Sequence, residues 1–370
     1  MKLEINFQKL RDAVTMVERV AGKHMTLPVL SCILIDINKN TAIFKTTNLD
    51  IGIEVSVPIK SDAVGIIAVP ANIISSFVGP VYDQNQVVGM ELVSGNLLIT
   101  TSKSKGVIKT VPADDFPTIP KITDATDQEF SIPGEIFIKG LKSVWYSSSV
   151  SNVKPELSSV YVYRDADLVT FVATDSFRLA EKKIKVPQAA KINDILIPFK
   201  NITNLIQVME HMDKNVDVSV NKNLISFKSN GIYVVSRLIN GVFPDYRQIV
   251  PKSYVTEAVV LKQDFINALK ISNIFSDKFN HVHLTIDPKG KLFEVQTKNS
   301  DVGENKTSVD AAITGEKMEM NFNYKYIVDC FQSIDADSIS LQLGGMNKPM
   351  VIRPVSGDQT FMYLVMPMNR

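Results

Sequence analysis

The middle of the chain contains the run Leu168-Val169-Thr170-Phe171-Val172-Ala173-Thr174-Asp175, in which β-branched and aromatic residues lead to a Thr and an Asp. A similar run, Val160-Tyr161-Val162-Tyr163, precedes it, and the turn residues Arg164-Asp165-Ala166-Asp167 separate the two. Two strand-like runs joined by turn residues predict a β-hairpin. This hairpin decides the fold because the chain contains it three times.

Copies of the hairpin lie on both sides of the middle one. The first runs from Ile33-Leu34-Ile35-Asp36-Ile37 to Ala42-Ile43-Phe44-Lys45-Thr46-Thr47-Asn48, and the third from Val282-His283-Leu284-Thr285-Ile286 to Leu292-Phe293-Glu294-Val295-Gln296-Thr297. Thr47, Thr174 and Thr297 are 127 and 123 residues apart (174 − 47 and 297 − 174). A second marker, a bulky residue before proline, has the same offsets at Phe116-Pro117, Phe243-Pro244 and Met366-Pro367 (243 − 116 and 366 − 243). This agreement indicates an internal triplication.

Each copy also contains two predicted helices. Apolar residues at helical spacing mark the first helix at Phe7, Leu10, Val14 and Val17, at Ile138, Leu141 and Val144-Trp145, and at Phe265 or Ile266, Leu269 and Ser272. Gly22 is placed to end the first of these helices. The second helix is expected at 71–78, 200–209 and 323–332, and strands follow it. The order helix, strands, helix, strands predicts an α+β fold of three similar domains, each with two helices packed on antiparallel sheets. The expected bounds are 1–125, 126–253 and 254–370.

Composition narrows the class of protein. Hydrophobic residues make up 45% of the chain and charged residues 21%, as in ordinary globular proteins. No apolar run approaches the ~20 residues of a membrane helix, and the N-terminus lacks a signal-peptide hydrophobic region. We therefore expect a cytoplasmic protein without a membrane partner. The net charge is only +1, from 40 basic and 39 acidic residues, whereas proteins that hold DNA by charge alone usually have a clear basic excess.

Motifs for catalysis or cofactor binding are missing from the sequence. It has neither a phosphate-binding loop nor a Cys-x-x-Cys pair. His281 and His283 could hold a metal, but an ordinary strand surface is the simpler interpretation. The carboxylate pairs Asp114-Asp115 and Asp165-Ala166-Asp167 lie where turns are predicted, and Asp is common in turns. Cys32 and Cys330 are expected to be buried free thiols. We predict no catalytic residue, no metal and no cofactor.

Four stretches, taken in order, carry a family resemblance. They are Thr26-Leu27-Pro28-Val29-Leu30, Ala173-Thr174-Asp175-Ser176-Phe177-Arg178-Leu179-Ala180, Phe243-Pro244-Asp245-Tyr246-Arg247 and Val365-Met366-Pro367-Met368. Together with the triplication, they resemble the bacterial DNA polymerase III beta subunit across essentially the whole chain. The resemblance implies a sliding clamp. Two chains would form a head-to-tail homodimer, each contributing half of a closed ring around double-stranded DNA. The ring would give the replicative polymerase processivity, and a separate ATP-driven clamp loader would open it.

The resemblance also implies a cleft that binds short peptides with a Gln and hydrophobic anchors. These would come from the polymerase catalytic subunit, the clamp loader, other polymerases and repair proteins. We call the matching residues the predicted partner cleft: Leu157, Thr174, Ser176, Phe177, Arg178, Leu179, Pro244, Ile249, Leu364, Met366, Pro367 and Met368. Phe177 and the chain end Asn369-Arg370 depart from the usual family pattern.

DNA contacts are expected from residues on helix faces opposite the apolar stripes and from two loops. They would touch phosphate without reading sequence, as a sliding ring requires. The candidates are Lys9, His24, Lys139, Lys142, Ser151, Lys200 and Lys325. The family resemblance also implies that the ring closes between the first domain of one chain and the third domain of the other, with candidate segments at 103–109 and 270–275.

Two other functions stay open at this point. One is a metal-dependent nucleic-acid-processing enzyme that uses the Asp pairs. The other is a structural repeat protein without a DNA function, which would leave the segment 174–179 and the Met-Pro-Met tail unexplained.

Overall fold

The computed structural model describes residues 2–22, 27–80, 87–122, 128–186 and 193–368. These residues contain six α-helices and 25 strands. The first domain has β1 (Lys2–Asn6), α1 (Phe7–Glu18), β2 (Cys32–Ile37), β3 (Thr41–Thr47), β4 (Ile51–Ser61), β5 (Gly65–Pro70), α2 (Ala71–Val78), β6 (Val87–Val93), β7 (Asn96–Thr100) and β8 (Lys105–Lys109).

The other two domains repeat this order. The second has β9 (Gln128–Pro133), α3 (Gly134–Val144), β10 (Ser159–Asp165), β11 (Leu168–Thr174), β12 (Arg178–Lys185), β13 (Ile195–Pro198), α4 (Phe199–Met209), β14 (Asn215–Val220), β15 (Leu224–Ser229) and β16 (Ile232–Arg237). The third has β17 (Thr256–Leu261), α5 (Lys262–Ile274), β18 (His281–Asp287), β19 (Leu292–Asn299), β20 (Gly303–Ser308), β21 (Ala311–Gly315), β22 (Met318–Asn323), α6 (Tyr324–Asp329), β23 (Ser338–Leu343), β24 (Met350–Pro354) and β25 (Phe361–Val365). The predicted α+β class with three similar domains is confirmed.

The described chain forms two compact units, and the strands of the second domain are divided between them. The first unit contains one sheet in the order β8-β7-β6-β1-β4-β16-β15-β14-β9, with β2, β3 and β5 attached through β4. In the second unit, one sheet has the order β13-β10-β11-β12-β25-β24-β23-β17-β21 and the other the order β20-β19-β18-β22. All described pairs are antiparallel, as expected. In the first and second domains, the strand after the hairpin pairs with the last strand of the following domain. These pairs are β4 with β16 and β12 with β25.

The hairpins lie where the hydrophobic alternation predicted them. Tyr161 pairs with Val172 and Asp165 with Leu168 in the middle copy. Ala166, in the turn, has a φ of 54°; Asp165 before it ends β10, and Asp167 after it lies in the turn.

Two helix predictions and the predicted order of elements need correction. The first helix ends at Glu18 and not at Gly22, because the amides of Val20 and Ala21 close tighter i→i−3 bonds to Val17 and Glu18. The helix at 323–332 is shorter, since α6 ends at Asp329 and a 3₁₀ turn follows. A strand that was not predicted precedes each first helix: β1, β9 and β17.

The two spacing markers do not keep one structural role. Thr47 and Thr174 donate to the carbonyl four residues later, whereas Thr297 donates to the Ser272 carbonyl at the end of α5. Met366 follows its strand directly, while Phe243 lies six residues after the end of β16 at Arg237. The offsets therefore identify the repeat but not equivalent atoms.

Candidate peptide-binding cleft

A tight turn between β11 and β12 forms the first part of the predicted partner cleft. The Thr174 hydroxyl donates to the Arg178 carbonyl at 2.7 Å, and the Ser176 amide donates to Thr174 Oγ1 at 3.1 Å. Asp175 Oδ1 accepts from the amides of Phe177 and Arg178 at 2.9 and 3.0 Å. Ser176 has a φ of 79°, a conformation that these local hydrogen bonds stabilise. The turn leaves the Phe177 ring 60% exposed.

Arg178 is held from three sides beside this turn, and two carboxylates balance its charge. Its Nε donates to Asp175 Oδ2 at 3.0 Å, and its Nη1 donates to Asp329 at the end of α6. The guanidinium carbon lies 4.5 Å from the centre of the Tyr326 ring. A guanidinium held by two carboxylates and a ring face loses most of its rotational freedom.

The C-terminal tail lies against this turn. Leu179 pairs with Leu364, and the Met366 amide donates to the Phe177 carbonyl at 2.8 Å. Leu179 and Leu364 are buried in one apolar cluster with Phe243 and Tyr246, and the half-buried Met366 packs against it. The structure thus brings together the 174–179 segment, Leu364 and Met366.

Pro367 and Met368 continue the tail into an adjoining cavity of about 320 Å³. The Met368 amide donates to the Asn321 carbonyl at 2.8 Å. Met346, which is 66% exposed, lines the same cavity. Met residues adapt to varied peptide side chains, so the chemistry of this rim suits peptide binding.

Three residues of the predicted partner cleft are not part of the turn and tail contacts described above. Pro244 lines a separate cavity of about 270 Å³ with Tyr161, Tyr163, Asp194 and Arg247. Leu157 is buried, and its carbonyl accepts from the Ser149 amide at 2.8 Å. Ile249 is exposed at the end of a 3₁₀ turn.

A hydrogen-bonded chain that runs from exposed Arg247 to buried Glu181 supports the cavity that Pro244 lines. Arg247 donates to the Tyr163 hydroxyl at 2.9 Å, that hydroxyl lies 2.8 Å from Tyr246 Oη, and Tyr246 donates to Glu181. Burial and the Glu181 carboxylate raise the pKa of Tyr246. Tyr246 therefore stays protonated at neutral pH and keeps this contact.

Two of the lysines predicted to contact DNA are ion-paired. Lys139 Nζ lies 2.8 Å from Asp358 Oδ2, and Lys200 Nζ lies 2.5 Å from Asp50 Oδ2. Asp358 also neutralises Lys182, which is 2% exposed and lies 2.5 Å away. Burial lowers the pKa of the Lys182 ammonium, and the Asp358 carboxylate opposes that shift.

The other DNA candidates are exposed where the structure describes them. Lys9, Lys142 and Lys325 lie on α1, α3 and α6, and Ser151 lies in the loop before β10. His24 and the chain end Asn369-Arg370 lie outside the described residues.

The histidine pair has local partners. His281 Nδ1 lies 2.6 Å from Asp277 Oδ2, and His283 Nδ1 lies 2.8 Å from Asn321 Oδ1. Within the ranges that the structure describes, no group of three or more His, Cys, Asp or Glu side chains could hold a metal ion. Cys32 and Cys330 are buried free thiols, as predicted, and burial raises the pKa of both.

Sequence reasoning missed the residues that support the cleft from the third domain: Asn321, Met346, Tyr326 and Asp329. Only Asn321 had a signal, because it stands just before the third copy of the second helix. The others carry no local motif, since they meet the cleft only through tertiary packing.

Family models match all three parts of the chain. The N-terminal, central and C-terminal domains of the DNA polymerase III beta subunit match residues 1–120, 131–245 and 247–369. The chain belongs to the DNA polymerase III beta subunit family. Its membership confirms the prediction of a sliding clamp of DNA polymerase III and of a non-catalytic subunit.

Individual members of the DNA polymerase III beta subunit family resemble the chain over nearly its full length. The beta sliding clamp of Staphylococcus epidermidis is 25% identical over 355 residues, which cover 93% of each chain. The DNA polymerase III beta subunit of Thermotoga maritima has the same fold, with a TM-score of 0.93, 22% identity and coverage of 100% of this chain and 99% of that one. The sliding clamp of Bacillus subtilis has a TM-score of 0.91, 24% identity and the same coverage. No described helix is long and apolar enough to cross a membrane.

Proposed function

We propose that two copies of this chain close head to tail into a ring that encircles duplex DNA. The observation that carries the proposal is the strand pairing between domains. β4 pairs with β16, and β12 pairs with β25. By position, β20 is the third domain's counterpart of β4 and β12, and β8 is the first domain's counterpart of β16 and β25. In the described part of the chain, β20 pairs only with β19 and β8 only with β7.

Unpaired strand edges attract another strand. If β20 of one copy pairs with β8 of a second copy, the pattern of the first two junctions is repeated at the third. The same contact in the opposite direction closes the assembly after two copies. This pairing agrees with the expectation that the ring closes at 103–109. On the other side of the contact, it adds β20 to the expected segment 270–275. The domain bounds 1–125, 126–253 and 254–370 are part of this proposal.

A closed ring explains the small net charge, because topology retains DNA and strong phosphate binding would hinder sliding. We assign the main phosphate contacts to Lys9 and Lys325, and Lys142 stays a candidate on α3. Lys139 and Lys200 contribute less, since Asp358 and Asp50 partly neutralise them. His24 and Ser151 stay candidates in their loops.

The partner cleft would dock short linear peptides with a Gln and hydrophobic anchors. Exposed Phe177 and Met346 and half-buried Met366 and Met368 provide the apolar contacts, and the immobile Arg178 fixes the rim. The expected ligands are the polymerase catalytic subunit, the clamp loader, other polymerases and repair proteins. The aspartates that an enzyme would need lie in hairpin turns and loops, and no observation favours that alternative.

Retention on DNA tests the ring. The purified chain is loaded onto nicked circular plasmid with its clamp loader, and half of the sample is then linearised. We expect retention on the circle and rapid loss from free linear ends. Equal retention on both forms, falling steeply with salt, would mean ordinary electrostatic binding and would refute the ring.

A further inference from the structure

The turn at the edge of the partner cleft has a copy in the first domain. The Thr47 hydroxyl donates to the Ile51 carbonyl at 2.9 Å, and the Leu49 amide donates to Thr47 Oγ1 at 3.0 Å. Asn48 Oδ1 accepts from the amides of Asp50 and Ile51 at 3.0 and 2.9 Å. Leu49 has a φ of 75°, close to the 79° of Ser176. Residues 47–51 therefore repeat the geometry of residues 174–178.

The strand next to this turn is also repeated. The Arg237 amide donates to the Asp50 carbonyl at 2.8 Å, as the Met366 amide does to the Phe177 carbonyl. Arg237 thus takes the place of Met366. The junction of the first and second domains is consequently built like the partner cleft.

A cavity of about 170 Å³ opens at this repeated site, which we call the second pocket. Its lining includes Leu49, Gly52, Pro117, Leu224, Val235 and Arg237. Cavities of about 150 Å³ accept a benzene-sized molecule. The second pocket is therefore large enough for one aliphatic side chain. Leu49 stands at its edge with 45% of its surface exposed.

The charge at the second pocket differs from that at the partner cleft. Arg237 Nε donates to the Leu49 carbonyl at 2.8 Å, and none of the ion pairs between described residues includes Arg237. Asp50, the acidic residue of the lining, is neutralised by Lys200. The lining thus presents a cation whose Nη groups can bind a carboxylate.

We infer that the second pocket binds a short extended peptide that has an aliphatic side chain next to an acidic one. The aliphatic group would enter the cavity between Pro117 and Val235, and the carboxylate would pair with Arg237. The choice of a peptide rests on the proposed function, because it extends the role of the partner cleft to its repeat. Preference for an acidic ligand distinguishes the second pocket from the partner cleft, because the partner cleft has the uncharged Met366 in the place of Arg237.

Methyl NMR on the full-length chain separates the two sites. The probe is an acetylated pentapeptide that contains one Gln, two Leu, one Asp and one Ser. A second peptide has Asn in place of the Asp. Methyl groups of Leu49, Leu224 and Val235 report on the second pocket, and those of Leu179, Leu364 and Met366 report on the partner cleft.

We expect the acidic peptide to shift both sets of methyl signals. Arg237→Glu should weaken binding at the second pocket at least tenfold, and so should Asn in the peptide, while the partner-cleft shifts persist. Leu49→Asn removes the apolar edge and keeps a residue that tolerates positive φ, so it should weaken the same site without unfolding the turn. Met368→Ala is the matched control and should affect only the partner-cleft shifts.

The remaining outcomes separate this inference from the proposed function. Shifts confined to the partner-cleft methyls would overturn the second pocket and leave the cleft in place. Shifts at Leu49 and Val235 that survive both Arg237→Glu and the Asn peptide would overturn recognition of an acidic ligand. Absence of any shift would count against both sites.

Discussion

Gly140 shows how one position on a helix is set by a neighbouring strand. A Cβ atom placed there would lie 2.3 Å from Cε2 of the Phe171 ring. Alanine usually stabilises a helix by about 1 kcal/mol relative to glycine, whereas extra volume in a packed core costs about 1–3 kcal/mol. The steric cost is the larger effect at this position because the Phe171 ring is fully buried.

We therefore predict that Gly140→Ala lowers the thermal unfolding midpoint, which calorimetry would measure. The double variant Gly140→Ala/Phe171→Leu should regain part of the loss, since the smaller side chain frees the space. An unchanged or higher midpoint for Gly140→Ala alone would contradict the close contact.

Asp358 is a second residue whose role is local and testable. Burial opposes its ionisation, but hydrogen bonds from Lys139, Lys182 and Thr360 hold the pKa of its carboxyl below the usual range. As pH falls, the unfolded chain takes up this proton before the folded chain does. The carboxylate therefore stabilises the fold above its unfolded-state pKa of about 3.9, and this contribution is lost as the pH falls further towards the folded-state pKa.

We predict that Asp358→Asn destabilises the protein by about 2–4 kcal/mol at neutral pH, because Lys182 is left buried without its counter-ion. The difference from the unmodified chain should shrink below about pH 4, when Asp358 becomes protonated in the unfolded state. Urea denaturation at pH 7 and pH 3.5 measures this. The control Asp358→Asn/Lys182→Met should be less destabilised than Asp358→Asn, and a pH-independent difference would rule out the charge pairing.

At the scale of single elements, the turn at 174–178 can be compared with its copy at 47–51. Asp175 accepts two backbone hydrogen bonds and also pairs with Arg178, whereas Asn48 accepts the two backbone bonds and has Ile51 in place of the arginine. Comparing the two turns therefore separates the backbone hydrogen bonds of the Asp175 side chain from the effect of its charge.

We predict that Asp175→Asn costs less than about 1 kcal/mol, because the amide oxygen keeps both backbone hydrogen bonds, while Asp175→Ala costs about 2 kcal/mol. Asn48→Ala should fall between them. Chemical denaturation gives the three values, and peptide titration should show weaker cleft binding for Asp175→Ala. Equal losses for the Asn and Ala variants would mean that the charge, and not the turn, decides stability.

At the scale of the whole molecule, the proposed dimer depends on the edge strands β8 and β20. Val107 on β8 is 66% exposed, and an exposed apolar residue on an edge strand favours association. A carboxylate at this position would have to be desolvated in a dimer interface.

We predict that Val107→Asp weakens the dimer at least tenfold. Light scattering should then show a shift from twice the chain mass of 41.1 kDa towards that of one chain, and retention on circular DNA should fall with it. Val93→Asp, at the end of β6 inside the sheet, is the control and should stay dimeric. A dimeric Val107→Asp variant would place the interface elsewhere.

Local pattern was sufficient to predict the three hairpins, the start of each second helix and the α+β class. Alternation along a strand and apolar spacing along a helix are short-range properties. The family resemblance supplied the partner cleft, and the structure brings together its 174–179 segment, Leu364 and Met366. Only the tertiary structure decided which strands pair between domains, which lysines are neutralised and that Asn321, Met346, Tyr326 and Asp329 support the cleft. Asp358 and Lys182, for example, are 176 residues apart. Their attraction depends on a distance that long-range packing sets and that no local sequence pattern encodes.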